Sequence, residues 1–267
     1  MTNQDSGAVG GGDELTYGTY LRIDELLELQ SLRSDPPEHD ETLFIIIHQV
    51  YELWFKQVLH EADQLVHHLD TDRPWRGMHQ LKRILKIFKT LVAQLDILET
   101  MTPLEFSSFR SFLADASGFQ SVQFRELEYA MGIKDPVHLE RMDSDRLRQR
   151  YEAPTVWDSV THLLARGGHP IPPSVLERDV TQSVAENAEL QPVLVHIYRT
   201  DPPMIELLEA LTDLDEGLQE WRYRHVKMVQ RTIGAKMGTG GSRGADYLRS
   251  TLFRPAFPDL WTIRDNF

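Results

Sequence analysis

The chain has 267 residues, 41% hydrophobic and 26% charged, which suits one large or two small globular domains with a substantial core. A formal net charge of -13 argues against a nucleic-acid footprint. The absence of cysteine excludes disulfides, thiolate nucleophiles, Cys-ligated zinc and iron–sulfur clusters, and no apolar run reaches the roughly 18 residues of a membrane span.

Residues 1–14 lack the basic-then-apolar order of a secretory signal and read as a disordered, Gly-rich lead-in, so the cytoplasm is the expected compartment. From there the dominant period is 3.6, with no strong alternation of period two. A short amphipathic helix is predicted over Tyr20–Leu32, stopped at Asp35-Pro36-Pro37. Asp40 is the predicted N-cap of a long helix reaching about Leu69, with Phe44, Ile47, Tyr51, Phe55, Val58, Ala62 and Leu65 as its stripe. A second long helix starts near Arg76 and carries Leu81, Ile84, Leu85, Phe88, Val92 and Leu95. Thr102-Pro103-Leu104-Glu105 is a capping box with proline at the first helical position, opening a helix through Phe106, Phe109 and Leu113. A loop at Asp115–Gly118 precedes a helix over Ser121–Met131. Between Ile133 and Pro203, repeated prolines cut the chain into short helices. Met204 to Lys236 is one helix or a bent pair, striped by Leu207, Leu211, Leu214, Leu218, Trp221, His225 and Met228, and the Gly238–Ser242 loop ends it. With no repeat and no clear linker, the expectation is a single all-α domain.

Two histidines stand on apolar helix faces. His48 lies one turn after Phe44, and His225 one turn after Trp221. Each reads as a core histidine bonded to backbone, or as a group lining a dry pocket. A lone helical histidine is too little for a protein-only zinc site, but one axial imidazole suffices for haem, because the porphyrin supplies the other nitrogens. Arg110, one turn after Phe106, is either a surface arginine or a fork for a carboxylate. His60, Asp63 and His67 share a helix face that reads as solvated and charged rather than metal-binding. The Gly238–Ser242 loop follows its helix, the wrong order for a phosphate cradle, and is a turn or a mobile closure.

Several strings together resemble the tryptophan 2,3-dioxygenase family. They are Leu15–Leu21 (LTYGTYL), His39–Gln49 (HDETLFIIIHQ) with Glu52-Leu53-Trp54, Leu98–Pro103 (LETMTP), Ser117–Ser121 (SGFQS), Trp221-Arg222 with His225, and Ile233-Gly234 leading to Gly238–Ser242. They run in family order from residue 15 to about 250. The resemblance implies that 15–267 form one haem-binding dioxygenase domain, an enzyme that takes L-tryptophan and O2. The expected cofactor is haem b, ferrous when active, and the expected product is N-formyl-L-kynurenine. It implies His225 as the axial haem ligand and His48 as the catalytic histidine that accepts the indole N–H. It assigns Phe44, Ile45, Ile46, Ile47, Phe106 and Leu113 to the substrate pocket, Arg110 to the substrate carboxylate, and Thr239 to the amino-acid end. It also implies a homotetramer, a dimer of dimers, in which Tyr17, Tyr20 and Leu21 line a neighbouring subunit's site. Phe106 stands where some bacterial members carry tyrosine, so a hydrogen bond to a charged group worth roughly 1.5–3 kcal/mol is absent here. A haem carrier or gas sensor, a plain helical bundle, and a haem enzyme for another aryl amino acid are the competing readings.

Overall fold

The frame of the molecule is three long helices, seen in a computed structural model that describes residues 15–234, 236, 248–249 and 251–267. Helix α3 (His39–Asp70) and helix α4 (Pro74–Leu98) are joined by the tight turn Thr71–Arg73, so they lie side by side and antiparallel. Helix α12 (Pro202–Ile233) packs along the other side of α4. The stripes read from the sequence meet here. Val58, Leu65, Leu81, Ile84, Leu91, Leu207, Leu211 and Leu218 are essentially excluded from solvent and belong to one apolar core. Each such side chain contributes about 1.5–3 kcal/mol of transfer free energy. The final 32 residues of stripe form one continuous helix rather than a bent pair.

Smaller helices close this frame. Helix α5 (Pro103–Arg110) touches both α3 and α12. Its capping box forms as expected: Glu105 N–H donates to Thr102 Oγ1 at 3.3 Å, and Thr102 N–H to Glu105 Oε2 at 2.7 Å. Helix α6 (Val122–Met131) packs on α3 and ends at Gly132, whose φ of +101° and close approach to Val184 (2.6 Å from where a Cβ would stand) both demand glycine. The proline-cut middle contains α7 (Val137–Arg141), α8 (Asp145–Glu152), α9 (Val156–Arg166), α10 (Pro173–Leu176) and α11 (Gln191–Thr200). Helix α13 (Pro258–Thr262) is pinned to α12 by Asp215, which accepts from Phe257 N–H and Trp261 Nε1–H. The described residues contain no strand, and the all-α expectation stands.

Three local expectations are corrected. Helix α3 begins at His39, so Asp40 lies in its first turn instead of capping it. The neighbouring Glu41 is buried and accepts from Arg33 N–H, Ser34 N–H and the Ser34 hydroxyl, holding the preceding loop onto the helix. The predicted helix over Tyr20–Leu32 is two short ones, α1 (Tyr17–Leu21) and α2 (Ile23–Leu27), broken at Arg22 with φ of 53°. Neither buries a residue against its own chain, so no core contact holds a longer helix straight. Helix α4 starts at Pro74, with proline in its first turn, two residues before the expected Arg76. The lead-in, residues 1–14, and the loop expected at Gly238–Ser242, with Thr239, lie outside the described residues.

Candidate active site

A cavity opens where α3, the end of α4, α5, α6 and α12 converge, with about 1300 Å³ of empty space counting its mouth. The 3.6 period of α3 sends His48, Tyr51, Glu52 and Phe55 into it, and that of α12 sends Trp221, Arg222, His225, Met228 and Val229. Leu95 and Leu98 close the α4 side, while Phe106 and Arg110 enter from α5. The two histidines singled out in the sequence therefore face one chamber.

His48 Nδ1 lies 2.7 Å from the Phe44 carbonyl oxygen. A carbonyl only accepts, so in the neutral ring Nδ1 carries the proton and Nε2 keeps its lone pair. His48 keeps exposed surface and lines the cavity. Desolvation lowers its pKa, and the Phe44 carbonyl and Glu52 only partly oppose that. The Phe44 ring lies 4.1 Å from the His48 ring, and Phe44, Phe106 and Phe109 form an aromatic cluster with centroids 5.4–5.7 Å apart.

His225 stacks on Trp221, ring centroids 5.2 Å apart and planes 10° from parallel. Tyr51, Phe55 and Phe124 surround that tryptophan. Desolvation, with His48 and the Arg125 cation adding to it, pushes the His225 pKa down to about 4. Both imidazoles are thus neutral near pH 7, the state in which a ring nitrogen ligates a metal or accepts a hydrogen bond.

The other expected site residues divide. Phe106 and Arg110 line the cavity; Phe44 stands behind His48 and Phe106. Leu113, half-buried in the 3-10 turn after α5, packs against the core. Among the described residues the lining does not include Ile45, Ile46 or Ile47; Ile47 sits in the core and Ile46 is exposed. Tyr17, Tyr20 and Leu21 are exposed on α1 and do not line this chain's own cavity. Asp63, from the weighed metal trio, is held by Arg150 at 2.7 and 3.1 Å. What sequence reading missed is the polar wall from α6, where Arg125 and Glu128 join Arg222 at the cavity. Opposite charges three apart on a helix otherwise rich in apolar residues were the available signal.

The family model for tryptophan 2,3-dioxygenase matches residues 2–149 and 183–267. The chain belongs to the tryptophan 2,3-dioxygenase family. A tryptophan 2,3-dioxygenase of Herpetosiphon aurantiacus is 56% identical over 254 residues, covering 94% of this chain and 97% of the relative. One from an Anaeromyxobacter species is 51% identical, covering 94% and 95%, and one from a Nocardioides species is 47% identical, covering 95% of each. The stretch that the family model does not match, 150–182, falls on α9, α10 and their flanks and contributes no residue to the cavity lining.

Proposed function

We propose that the chain is a haem-dependent dioxygenase that inserts both atoms of O2 across the indole C2–C3 bond of L-tryptophan, giving N-formyl-L-kynurenine, the first step of tryptophan breakdown. The observation that carries this reading is the pairing, in one largely apolar chamber, of two neutral imidazoles from different helices with an arginine at its edge.

The donor set suits haem b. His225 offers one neutral imidazole, braced by the stacked Trp221 and sharing the cavity lining with Leu95, Leu98, Met228 and Val229; one imidazole nitrogen is what haem would ask of the protein here. His225 would hold the iron, and the ferrous group, when bound, supplies the binding and activation of O2. His48 works on the substrate. With its proton committed to the Phe44 carbonyl, its Nε2 accepts the indole N–H, either orienting the ring or taking its proton. Arg110 forks the carboxylate, fixing the amino-acid end. Phe44 and Phe106 give the indole a flat apolar surface, with Leu113 beside them and Ile45–Ile47 setting the helix face behind. Thr239 contacts the amino-acid end in the same reading.

Helix α1 belongs to this function through assembly. Tyr17 and Tyr20 are 77% and 71% exposed, and Leu21 is also exposed. An apolar arm that buries nothing at home suits a homotetramer, a dimer of dimers, in which it covers a neighbouring subunit's site. No described helix is long and apolar enough to cross a membrane, and the cytoplasm is the proposed setting.

The test is turnover by purified, haem-supplemented protein. L-tryptophan and O2 should give N-formylkynurenine absorbance, and other aryl amino acids much less. His225→Ala should lose the Soret band and turnover together. A normal Soret band in that variant removes the axial assignment, and a colourless wild-type protein removes the haem reading.

A further inference from the structure

The cavity wall contributed by α6 and α12 holds a charge that the described residues bonded to it do not balance. Arg125 Nη1 donates to Glu128 Oε2 at 2.6 Å, and Arg222 Nη2 donates to Glu128 Oε1 at 2.7 Å. The single carboxylate therefore spends one oxygen on each guanidinium, and two cations share one anion. All three side chains are no more than 6% exposed, and all three line the cavity. The two guanidiniums hold the Glu128 carboxyl below its usual range against the opposing effect of burial. Arg222 also donates to the carbonyls of Thr251 and Arg254. Even so, the Nε atoms of both arginines have no hydrogen-bond partner among the described residues. Buried N–H groups of a cation rarely go unpaired, because their desolvation then has no return.

The rest of the described lining does not supply the missing anion. The other glutamate of the described lining, Glu52, is engaged by Gln123 Nε2 at 2.8 Å, while the ion pairs of Arg125 and Arg222 are with Glu128. A free amino acid in the cavity does not supply it either, since its carboxylate goes to Arg110 in the reading above and its ammonium adds a positive charge. A tetrapyrrole bearing propionates does bring net negative charge. We infer that the Arg125–Glu128–Arg222 cluster is the docking point for a propionate carboxylate of the haem, with Glu128 as a tether that orients the two guanidiniums. This rests on the haem reading above. Arg125 and Arg222 are then cofactor-holding residues, distinct from the iron ligand and from Arg110, which takes the substrate's carboxylate.

The experiment measures release to excess apomyoglobin of haem b and of its dimethyl ester, in which both propionates are uncharged. The holoprotein is used as wild type, Arg125→Gln and Arg125→Lys. Wild type should release the ester about 10- to 100-fold faster than haem b, the range expected for a lost charge-assisted hydrogen bond. Arg125→Gln should collapse that gap by speeding release of haem b alone, and Arg125→Lys should keep most of it. Equal release of the two porphyrins by wild type overturns the inference. So does a gap unchanged by Arg125→Gln, or a variant that sheds the ester markedly faster than wild type does, which marks a purely structural arginine. The wild-type comparison needs no substitution, so the inference stays open to refutation even if Arg125→Gln does not fold. Failure of wild type to bind either porphyrin removes the haem reading, and this inference with it; bound haem without a gap removes only the inference.

Discussion

His48 owes its proposed task to a hydrogen bond inside its own helix. The Phe44 carbonyl, 2.7 Å from Nδ1, fixes the tautomer and leaves the Nε2 lone pair uncommitted to it. His48→Ala should keep the Soret band but lose any preference for tryptophan over its 1-methyl analogue, which has no indole N–H to donate. A variant that discriminates as well as wild type contradicts the acceptor role. His225 carries a second consequence, for stability. Its folded pKa is about 4, below the 6.5 of an unperturbed ring. Between those values the unfolded chain binds a proton that the folded one refuses, so stability rises with pH across that window. Haem-free protein should therefore weaken by ~3 kcal/mol as pH falls from 6.5 to 4, measured by urea unfolding. His225→Leu should show a shallower slope; an identical slope means that other groups govern it.

Helix α5 shows how a local motif reaches the chemistry. It is 8 residues long, too short to be stable alone. Its capping box and the burial of Phe106 and Phe109 hold it between α3 and α12. Arg110 stands at its far end, so a frayed first turn moves the proposed carboxylate fork. Thr102→Ala should cost about 1 kcal/mol of stability and raise the KM for tryptophan more than it lowers kcat. Unchanged KM would show that α5 is positioned by packing alone. Helix α3 has the same logic on a larger scale. One helix, 32 residues long, carries core residues such as Val58 and Leu65 as well as His48 and Glu52 at the cavity. Its core half fixes the angle at which its other half meets α12.

The molecule as a whole leaves apolar surface uncovered at its beginning. Leu15, Tyr17, Tyr20, Leu21, Leu26, Leu27 and Leu29 are all exposed, on a segment with no core contact in its two helices. Deleting residues 1–29 should leave the cooperative unfolding of the body nearly unchanged, because α1 and α2 bury nothing in it. The same deletion should reduce the assembly seen by light scattering and lower turnover. A truncated chain with full activity and unaltered mass would contradict the neighbour-site proposal.

The long helices were readable in the sequence because their stabilising pattern is local: a 3.6-period stripe marks a buried face whatever covers it, and α3, α4 and α12 follow theirs closely. Thr102 and Glu105 were readable for the same reason, as a reciprocal pair three residues apart. His48 and His225 stood out as polar groups on apolar faces, although spacing left each open between a satisfied core residue and a pocket group. Meeting across one chamber is a property of helix packing, since 177 positions separate them and no short-range rule spans that distance. The same holds for Glu128 and Arg222: each looks like an ordinary surface charge in its own helix, and only the docking of α6 near α12 buries them together. The sequence alone therefore determined the long helices, the Thr102–Glu105 cap and the family. Packing decided which polar residues lost their water, and with it which of them became chemically particular.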